Sequence, residues 1–469
     1  MSIAIVCMVN NTALNSMQHT NLNVSFFHNE TLPEKPSECP AAVKHHKSLD
    51  GPFAWNKGTQ GIILSAYFYG YLITQLPGGF ISFKLGGKNV LLITMLIASL
   101  FTILIPVCSK WGPVPLMICR FIVGLAHGAF WPSVSSLWIL WAPGPERSRL
   151  VGSASAGSWV GNIIALPLGG YLCANGFDGG WGSIFYIFGI ACFVWCVAFF
   201  FLTSDKPDNH KFISAVEKEY IIRETRSYMK SSDMKTPWKQ ILLSKACIAI
   251  YVAHFCSNWG IYLFLTQLPT FLKDVLKFDI KSNGLISAIP YIASSILNLL
   301  SSIISDKLIT SGKLSRTNTR RLFGFIGLFV PLCSVIGLSF VTCKNPALGI
   351  ALLVIGISFT AVLWGAGHLV NINEISGPFS GIVFGVSNTI ATIPGIVAPY
   401  IVGLITKNET QKEWQIVFII CAIIFFIGGA FYCAFCDGHP QEWAKNKDTS
   451  TEDKKQIDTY AYENAATEF

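Results

Sequence analysis

Lys, Arg, Asp and Glu are absent from long stretches of the chain, and those stretches are apolar on every face. Ten charge-free runs cover 58–83, 89–109, 150–177, 179–204, 246–272, 282–305, 322–343, 345–373, 375–406 and 414–436. An eleventh, 111–145, holds a single charge, Arg120. Each is long enough for the roughly 20 apolar residues that cross a bilayer as a helix. In lipid, backbone N–H and C=O groups must be satisfied within the segment, which selects helices. Strand-length alternation recurring about every 10 residues, the pattern of a membrane barrel, is absent. The pattern predicts an all-α polytopic membrane protein. Met1–Val9 is apolar but too short to span. It reads as the second half of a first span whose first half this sequence lacks, so the eleven runs become spans 2 to 12. A signal peptide fits less well, because the basic n-region and a small-residue cleavage pattern are both missing.

The spans group into two halves. An N-terminal bundle covers 1–203, with the span 1 remnant at 1–9, a polar Pro-containing outer segment at 10–57, and spans 2–6. A polar linker, 204–245, carries nine Lys+Arg. Within it Ser214 and Glu217 have capping-box spacing and open an amphipathic helix reaching Lys230. The C-terminal bundle, spans 7–12, covers 246–436, and a charged tail of mixed sign, 437–469, is expected to be disordered. Two six-helix halves joined by a long loop is the layout of transporters that rock one bundle against the other around a midplane site.

Sidedness follows from two independent counts. The N-x-[ST] acceptors are Asn10, Asn23, Asn29 and Asn408. Ten spans separate the first three from the fourth, so all four fall on one face, and glycosylation would make it the lumenal or extracellular one. Assigning alternate loops to the opposite face puts 22 Lys+Arg there against 11 on the sequon face, in the sense of the positive-inside rule. Both place the C-terminus in the cytosol.

Composition narrows the function classes. Charged residues are 13% of the chain, about half the usual quarter, which excludes a water-soluble globular protein and a disordered one. The net charge of +8 is spread thinly over loops and is no nucleic-acid footprint. Neither a H-E-x-x-H motif nor an intramembrane carboxylate pair is visible, so an enzyme is not expected. The fourteen cysteines are scattered. Cys433-x-x-Cys436 reads as packing at the end of the last span, with no metal site, and any disulfide of Cys39 needs a partner at a span end such as Cys343.

Arg120 is the sharpest chemical signal. It sits ten residues into its run, where a centred Arg costs about 2.5–3.5 kcal/mol on insertion scales. Such a residue reads as an anion-binding cation in a translocation path; the plainer reading is a structural Arg tied to carbonyls. His127 lies two helical turns on, on the same face, and could carry a coupling proton. Gly124 and Gly128 line that sector and admit a close helix neighbour. His254 and His368, inside spans 7 and 10, read as satisfied core histidines before proton carriers. Glu374 is expected to order the turn after span 10. Gly157-x-x-x-Gly161 and Gly381-x-x-x-Gly385 read as helix-packing faces. Of Tyr67, Tyr69 and Tyr71 in span 2, Tyr71 is kept as a candidate.

Several stretches resemble a known family. YFYGYLITQLPGGF at 67–80 followed by KLGGK at 84–88 resembles the span 2–3 junction of the major facilitator fold. WAPGPERSRL at 141–150, DKPDNHKFISAVEKEYI at 205–221, GIVFGVSNTIATIPGIVAPYIVGLIT at 381–406 and EWQIVFII at 413–420 are similar to the anion:cation symporter family of sialin, vesicular glutamate transporters and type I sodium–phosphate cotransporters. The similarity covers nearly the whole chain except the tail, and is nearest to sialin in spans 2 and 11. The resemblance implies a twelve-helix fold and secondary transport of an anion (sialic acid or another acidic sugar, phosphate, urate or similar), coupled to H⁺ or Na⁺ or driven by voltage, without a cofactor. It implies that Arg120 meets the substrate anion, with Tyr71, Tyr262 and Asn388 near it. The departures are specific. The family's proton-coupling glutamate in span 4 falls on His127, and a second acidic position on Val123. The span 7 arginine of glutamate transporters falls on Ser257 and their span 2 histidine on Leu64, which disfavours glutamate as cargo. The family's span 1 arginine falls upstream of Met1.

The expected partners are a small anion and membrane lipid. The final Thr467-Glu468-Phe469 has the form of a weak PDZ-domain ligand. The expected location is a plasma membrane or a lysosomal or vesicular one. The alternative is a truncated, non-transporting relative acting as a scaffold or regulator.

Overall fold

The computed structural model describes residues 1–10, 12–14, 16, 51–143, 147–230, 236–278 and 280–444. Among them the regular structure is helical, with one isolated β-bridge, Val9 to Phe53. The N-terminal bundle comprises α1 (Ser2–Met8), α2 (Lys57–Leu85), α3 (Gly87–Trp111), α4 (Pro113–Gly128), α5 (Phe130–Trp141), α6 (Arg147–Asn175) and α7 (Trp181–Leu202). The linker holds α8 (Ala215–Lys230) and α9 (Trp238–Leu243). The C-terminal bundle comprises α10 (Lys245–Asp274), α11 (Ile280–Thr310), α12 (Arg316–Leu338), α13 (Pro346–Ala366), α14 (His368–Ser376), α15 (Ser380–Ile405) and α16 (Gln411–Phe435). Nine helical stretches among the described residues are long and apolar enough to cross a membrane. Helices α2 and α6, of 29 residues each, are long enough to do so but fall outside those nine.

Local chemistry sets the helix ends. The Asn56 side chain accepts from the Thr59 N–H to start α2, and α2 stops at Gly86, whose φ of 87° suits glycine. Thr410 and Glu413 form a reciprocal capping box on α16. In the linker, the Glu217 N–H donates to Ser214 Oγ at 3.2 Å as α8 begins.

Among the described residues two spans are interrupted, and they are the fourth of each half. Span 4 breaks into α4 and α5 at Ala129; Pro132, lacking an N–H, leaves the Gly128 carbonyl without its helical donor. Span 10 breaks into α13 and α14 at Gly367, where an added Cβ would lie against Leu363. Interrupted helices at matching positions of two repeats point to where a transporter holds its ligands.

The halves meet chiefly along two seams, α2 against α15 and α6 against α11, with α1 packing on α10 as well. The contacts crowd one end. There Lys57 Nζ pairs with Asp274 at 2.9 Å and Glu409 at 3.0 Å, joining the start of α2 to the end of α10 and the loop before α16. An added Cβ on Gly61 would meet the Pro399 carbonyl, and one on Gly284 the Leu166 carbonyl, so backbones of the two halves touch. Asn10 (through Phe53) and Asn408 (beside Glu409) lie at this same end, as the sequon count expects. Toward the other end the halves part: Phe80 is exposed, and Gly381 and Gly385 face open space. The fold is closed on the sequon face and open on the opposite one.

Several expectations change here. Gly157, Gly161, Gly381 and Gly385 have no neighbouring atom where a Cβ would stand, so neither pair is a packing face. The close helix crossing is instead at Gly70, Gly124 and Gly128, where α2 and α4 meet backbone to backbone. Glu374 forms a two-pronged pair with Arg320 at 2.7 Å in each arm rather than ordering its own turn. The first residues of the tail are held against the bundle, with Gln441 N donating to Ile375 O and Trp443 packed near Phe379. Cys7 and Cys173 are disulfide-bonded, a pair the spacing did not suggest, and Cys343 is also disulfide-bonded. Asn23, Asn29, Cys39 and the tail from 445, with Thr467–Phe469, lie outside the described residues.

Because α1 has seven residues, it covers only one end of α6 and α7. An apolar groove of about 780 Å³ lies between α3, α5, α6 and α7, lined by Trp131, Trp138, Trp141 and Trp195 among others.

Candidate functional site

The site is built on one face of α2. Tyr67, Tyr71 and Gln75 are four residues apart and therefore stack along a single helical stripe. Gly124 and Gly128 let α4 lie directly on that stripe from one side. From α4 come Arg120 and His127, both reaching Tyr67. The Arg120 guanidinium lies over the Tyr67 ring, Cζ 5.3 Å from its centroid. His127 Nδ1 is 3.1 Å from the Tyr67 hydroxyl. The shared face expected from their spacing is realised, with Tyr67 as the element joining them.

Arg120 has no ionic partner among the described residues, and its Nε is buried without a hydrogen bond. The structural alternative, a guanidinium tied to carbonyls, is not what these contacts show. A cation–π contact satisfies little of the five-donor fork. The arrangement leaves a permanent positive charge with donors to spare in a region of low dielectric. What it can do chemically is bind an anion.

The opposite wall comes from the C-terminal bundle. Tyr262 of α10 packs on Phe68 with ring centroids 4.8 Å apart. Tyr71 faces Asn388 of α15. Gln75 accepts from Asn388 Nδ2 at 3.3 Å and Thr389 Oγ1 at 3.2 Å, and donates to Thr392 Oγ1 at 2.7 Å. All four residues expected to surround an anion, Arg120, Tyr71, Tyr262 and Asn388, thus gather on or beside the α2 stripe with His127. Gln75, Thr389 and Thr392 were missed by the sequence reading. An uncharged amide or hydroxyl in an apolar helix is no outlier, though the four-residue step from Tyr71 to Gln75 was available.

Among the described residues no group of three or more His, Cys, Asp or Glu could hold a metal ion.

Comparison with known proteins agrees with this architecture. The profile of the Major Facilitator Superfamily matches residues 3–399. The chain belongs to the Major Facilitator Superfamily. Human sialin is 36% identical to it over 446 residues, covering 95% of this chain and 87% of sialin. Human vesicular glutamate transporter 2 is 34% identical over 406 residues, covering 85% of this chain and 68% of that protein. A bacterial homologue of the human lysosomal transporter Spinster, solved in an inward-facing, unoccupied conformation, shares the fold at a TM-score of 0.65 with 13% identity, over 81% of this chain and 89% of that one. The expected relationship to sialin and the glutamate transporters is therefore established, as is the major facilitator fold. The α2 stripe stands at the seam between the two bundles, so groups from both halves converge on one spot.

His254 and His368 depart from expectation. Neither is fully satisfied: His254 Nδ1 meets Ser387 Oγ, but His254 Nε2 and both nitrogens of His368 are buried without a hydrogen-bond partner.

Proposed function

We propose that the chain is a secondary active transporter of small organic anions, and that its cargo is a singly charged, hydroxyl-rich carboxylate such as sialic acid or another acidic sugar. The observation that carries this is Arg120, a cation in the membrane interior with no acidic partner among the described residues. One unmatched charge suits one carboxylate. The surroundings, Tyr67, Tyr71, Tyr262, Gln75, Asn388, Thr389 and Thr392, offer aromatic faces for a sugar ring and hydroxyl and amide groups for its oxygens. A dicarboxylic amino acid fits less well, since Ser257 stands where glutamate transporters carry a second arginine.

Transport proceeds by alternating access. The closed sequon face and parted opposite face represent one state; rocking about the α2–α15 and α6–α11 seams gives the other. An anion that pairs with Arg120 more strongly in one facing than in the other moves the equilibrium, whereas equal binding moves nothing. His127 shares Tyr67 with Arg120, so a proton on its ring sits near a fixed positive charge. An anion between them offsets that repulsion, which links proton uptake to anion binding and supports symport with H⁺. The sequon face is taken as lumenal or extracellular and the C-terminus as cytosolic, in a lysosomal, vesicular or plasma membrane. The non-transporting reading is set aside, because the family match and the unpartnered Arg120 both favour transport.

Uptake of labelled acidic sugars, phosphate, urate and acidic amino acids into proteoliposomes, with H⁺, Na⁺ and voltage varied separately, tests the proposal. The acidic sugar should be taken up and Arg120→Ala should abolish it. Unchanged uptake by Arg120→Ala removes the arginine from the mechanism.

A further inference from the structure

We infer that His254 and His368 form a second proton-binding site, in the C-terminal bundle, where the two imidazoles share one proton. The rings lie side by side with centroids 4.7 Å apart and planes inclined at 44°. Both residues are fully buried. His254 Nδ1 is 2.8 Å from Ser387 Oγ. Three of the four ring nitrogens, His254 Nε2 and both of His368, have no partner. Natural cores satisfy their buried polar groups, so three orphaned nitrogens on two adjacent rings are an exception that needs a reason. A proton supplies one. With His254 Nδ1–H donating to Ser387, its Nε2 keeps a lone pair. A hydronium ion gives its proton to the free lone pair of His368: an O–H bond breaks, an N–H bond forms and water leaves. The imidazolium then has two N–H groups, and a turn of the His368 ring aims one at His254 Nε2. Release reverses these steps toward the other face.

The placement fits such a site. His368 is the first residue of α14, at the break in span 10, and so next to the C-terminal end of α13. Carbonyls at a half-helix C-terminus favour a positive charge. Span 4, the matching span of the other half, breaks just after His127. Each half thus carries a histidine at its interrupted helix; beside His127 stands the Tyr67 phenol, whereas beside His368 stands a second imidazole, that of His254. The titratable and charged groups on the packed elements are occupied elsewhere. Tyr251 donates to Ile241 O, and Arg320 is paired with Glu374 and also donates to Ala366 O. Tyr432 accepts from Asn371, and Cys256 lies against Gly428. Trp364 and Phe384 are the other rings around the pair. Among the described residues, then, no carboxylate competes for the proton.

The pair also has a mechanical connection to the seam. Ser387, which holds His254, precedes Asn388, and Asn388, Thr389 and Thr392 grip Gln75 across the two halves. Charging the rings therefore acts on the helix that closes against α2. This deepens the transport proposal and rests on it for the use of the proton, though not for its binding.

The test has two arms. ¹⁵N-histidine NMR of the intact protein in nanodiscs should show two imidazoles titrating together, with the amplitude of one proton, between about pH 4 and pH 9. His254→Gln or His368→Gln should remove both signals, while His127→Gln should leave them. Ser387→Ala, which keeps both rings, should shift the midpoint in a folded protein. In proteoliposomes, His254→Gln should weaken the pH dependence of uptake, leaving the part that His127 carries, while retaining voltage-driven uptake. Two rings that do not titrate in that window, or a pH profile unchanged in His254→Gln and lost in His127→Gln, overturn the inference. Absence of acidic-sugar uptake by the unaltered protein counts against the transport proposal alone, and the NMR titration still decides the proton site.

Discussion

Arg120 and its neighbours show how differently single residues announce themselves. A lone arginine in a 35-residue apolar run is visible because its cost is visible; the structure adds that it stands over Tyr67, with no acid beside it among the described residues. His127 was legible by its seven-residue spacing, whereas Tyr67, which connects the two, looked like an ordinary interfacial aromatic. Tyr67→Phe should remove the hydroxyl that meets His127 and leave the ring beneath Arg120. It is expected to change the pH dependence of uptake while altering anion affinity less than about threefold, less than one typical hydrogen bond is worth. A uniform loss of affinity at every pH would contradict this division of labour. The His254–His368 pair was legible as two residues but not as a pair, since 114 positions separate them and only the packing of α10 against α14 brings the rings together.

At the scale of elements, the spans were legible almost entirely from missing charges, because lipid leaves the chain little choice. The breaks in spans 4 and 10 were not, since neither interrupts the run of apolar residues. Small-residue spacing misled in one place and served in another. Gly157, Gly161, Gly381 and Gly385 have the G-x-x-x-G spacing but meet open space, while Gly124 and Gly128 carry the α2–α4 contact. The spacing says a close approach is permitted; which helix takes it up depends on the fold. Gly124→Leu should force α4 off the Tyr67 backbone. The expected result is a loss of about 1–3 kcal/mol of stability from overpacking, read as a lower unfolding midpoint in detergent, together with loss of anion binding. Gly381→Leu, facing open space, should leave the midpoint within about 0.5 kcal/mol.

For the whole molecule, the deciding feature is that the halves touch at one end. Lys57, Asp274 and Glu409 were invisible as a group because each sits at a span end, where charges are ordinary. In the structure Lys57 has a side-chain exposure of 10% and Asp274 of 0%, so they form a buried latch between bundles. Lys57→Ala strands a buried carboxylate, at a cost of about 3–5 kcal/mol to the closed face. Double electron–electron resonance between labels on the sequon-face ends of α2 and α15 should then show a longer distance; an unchanged distribution would mean the latch does not hold the closure. The Lys57–Glu409 arm of the latch has a pH dependence of definite sign. Burial opposes ionisation of Glu409, but Lys57, with Lys273 and Lys277 adding to it, holds that carboxyl below its ordinary range. A depressed carboxyl contributes its stabilisation above the ordinary glutamate pKa of about 4.3 and loses it as pH falls through the depressed value. The Lys57–Glu409 contact should therefore persist at neutral and mildly acidic pH and open only in stronger acid.

All three scales depend on one pairing, a substrate carboxylate against Arg120. Its most direct test is equilibrium binding of a labelled acidic sugar and of its uncharged methyl ester to the unaltered protein and to Arg120→Ala. A hydrogen-bonded charge pair is worth about 1.5–3 kcal/mol, so the unaltered protein should prefer the acid by roughly 10- to 100-fold, and Arg120→Ala should bind acid and ester alike. A preference for the acid that survives in Arg120→Ala would contradict the account.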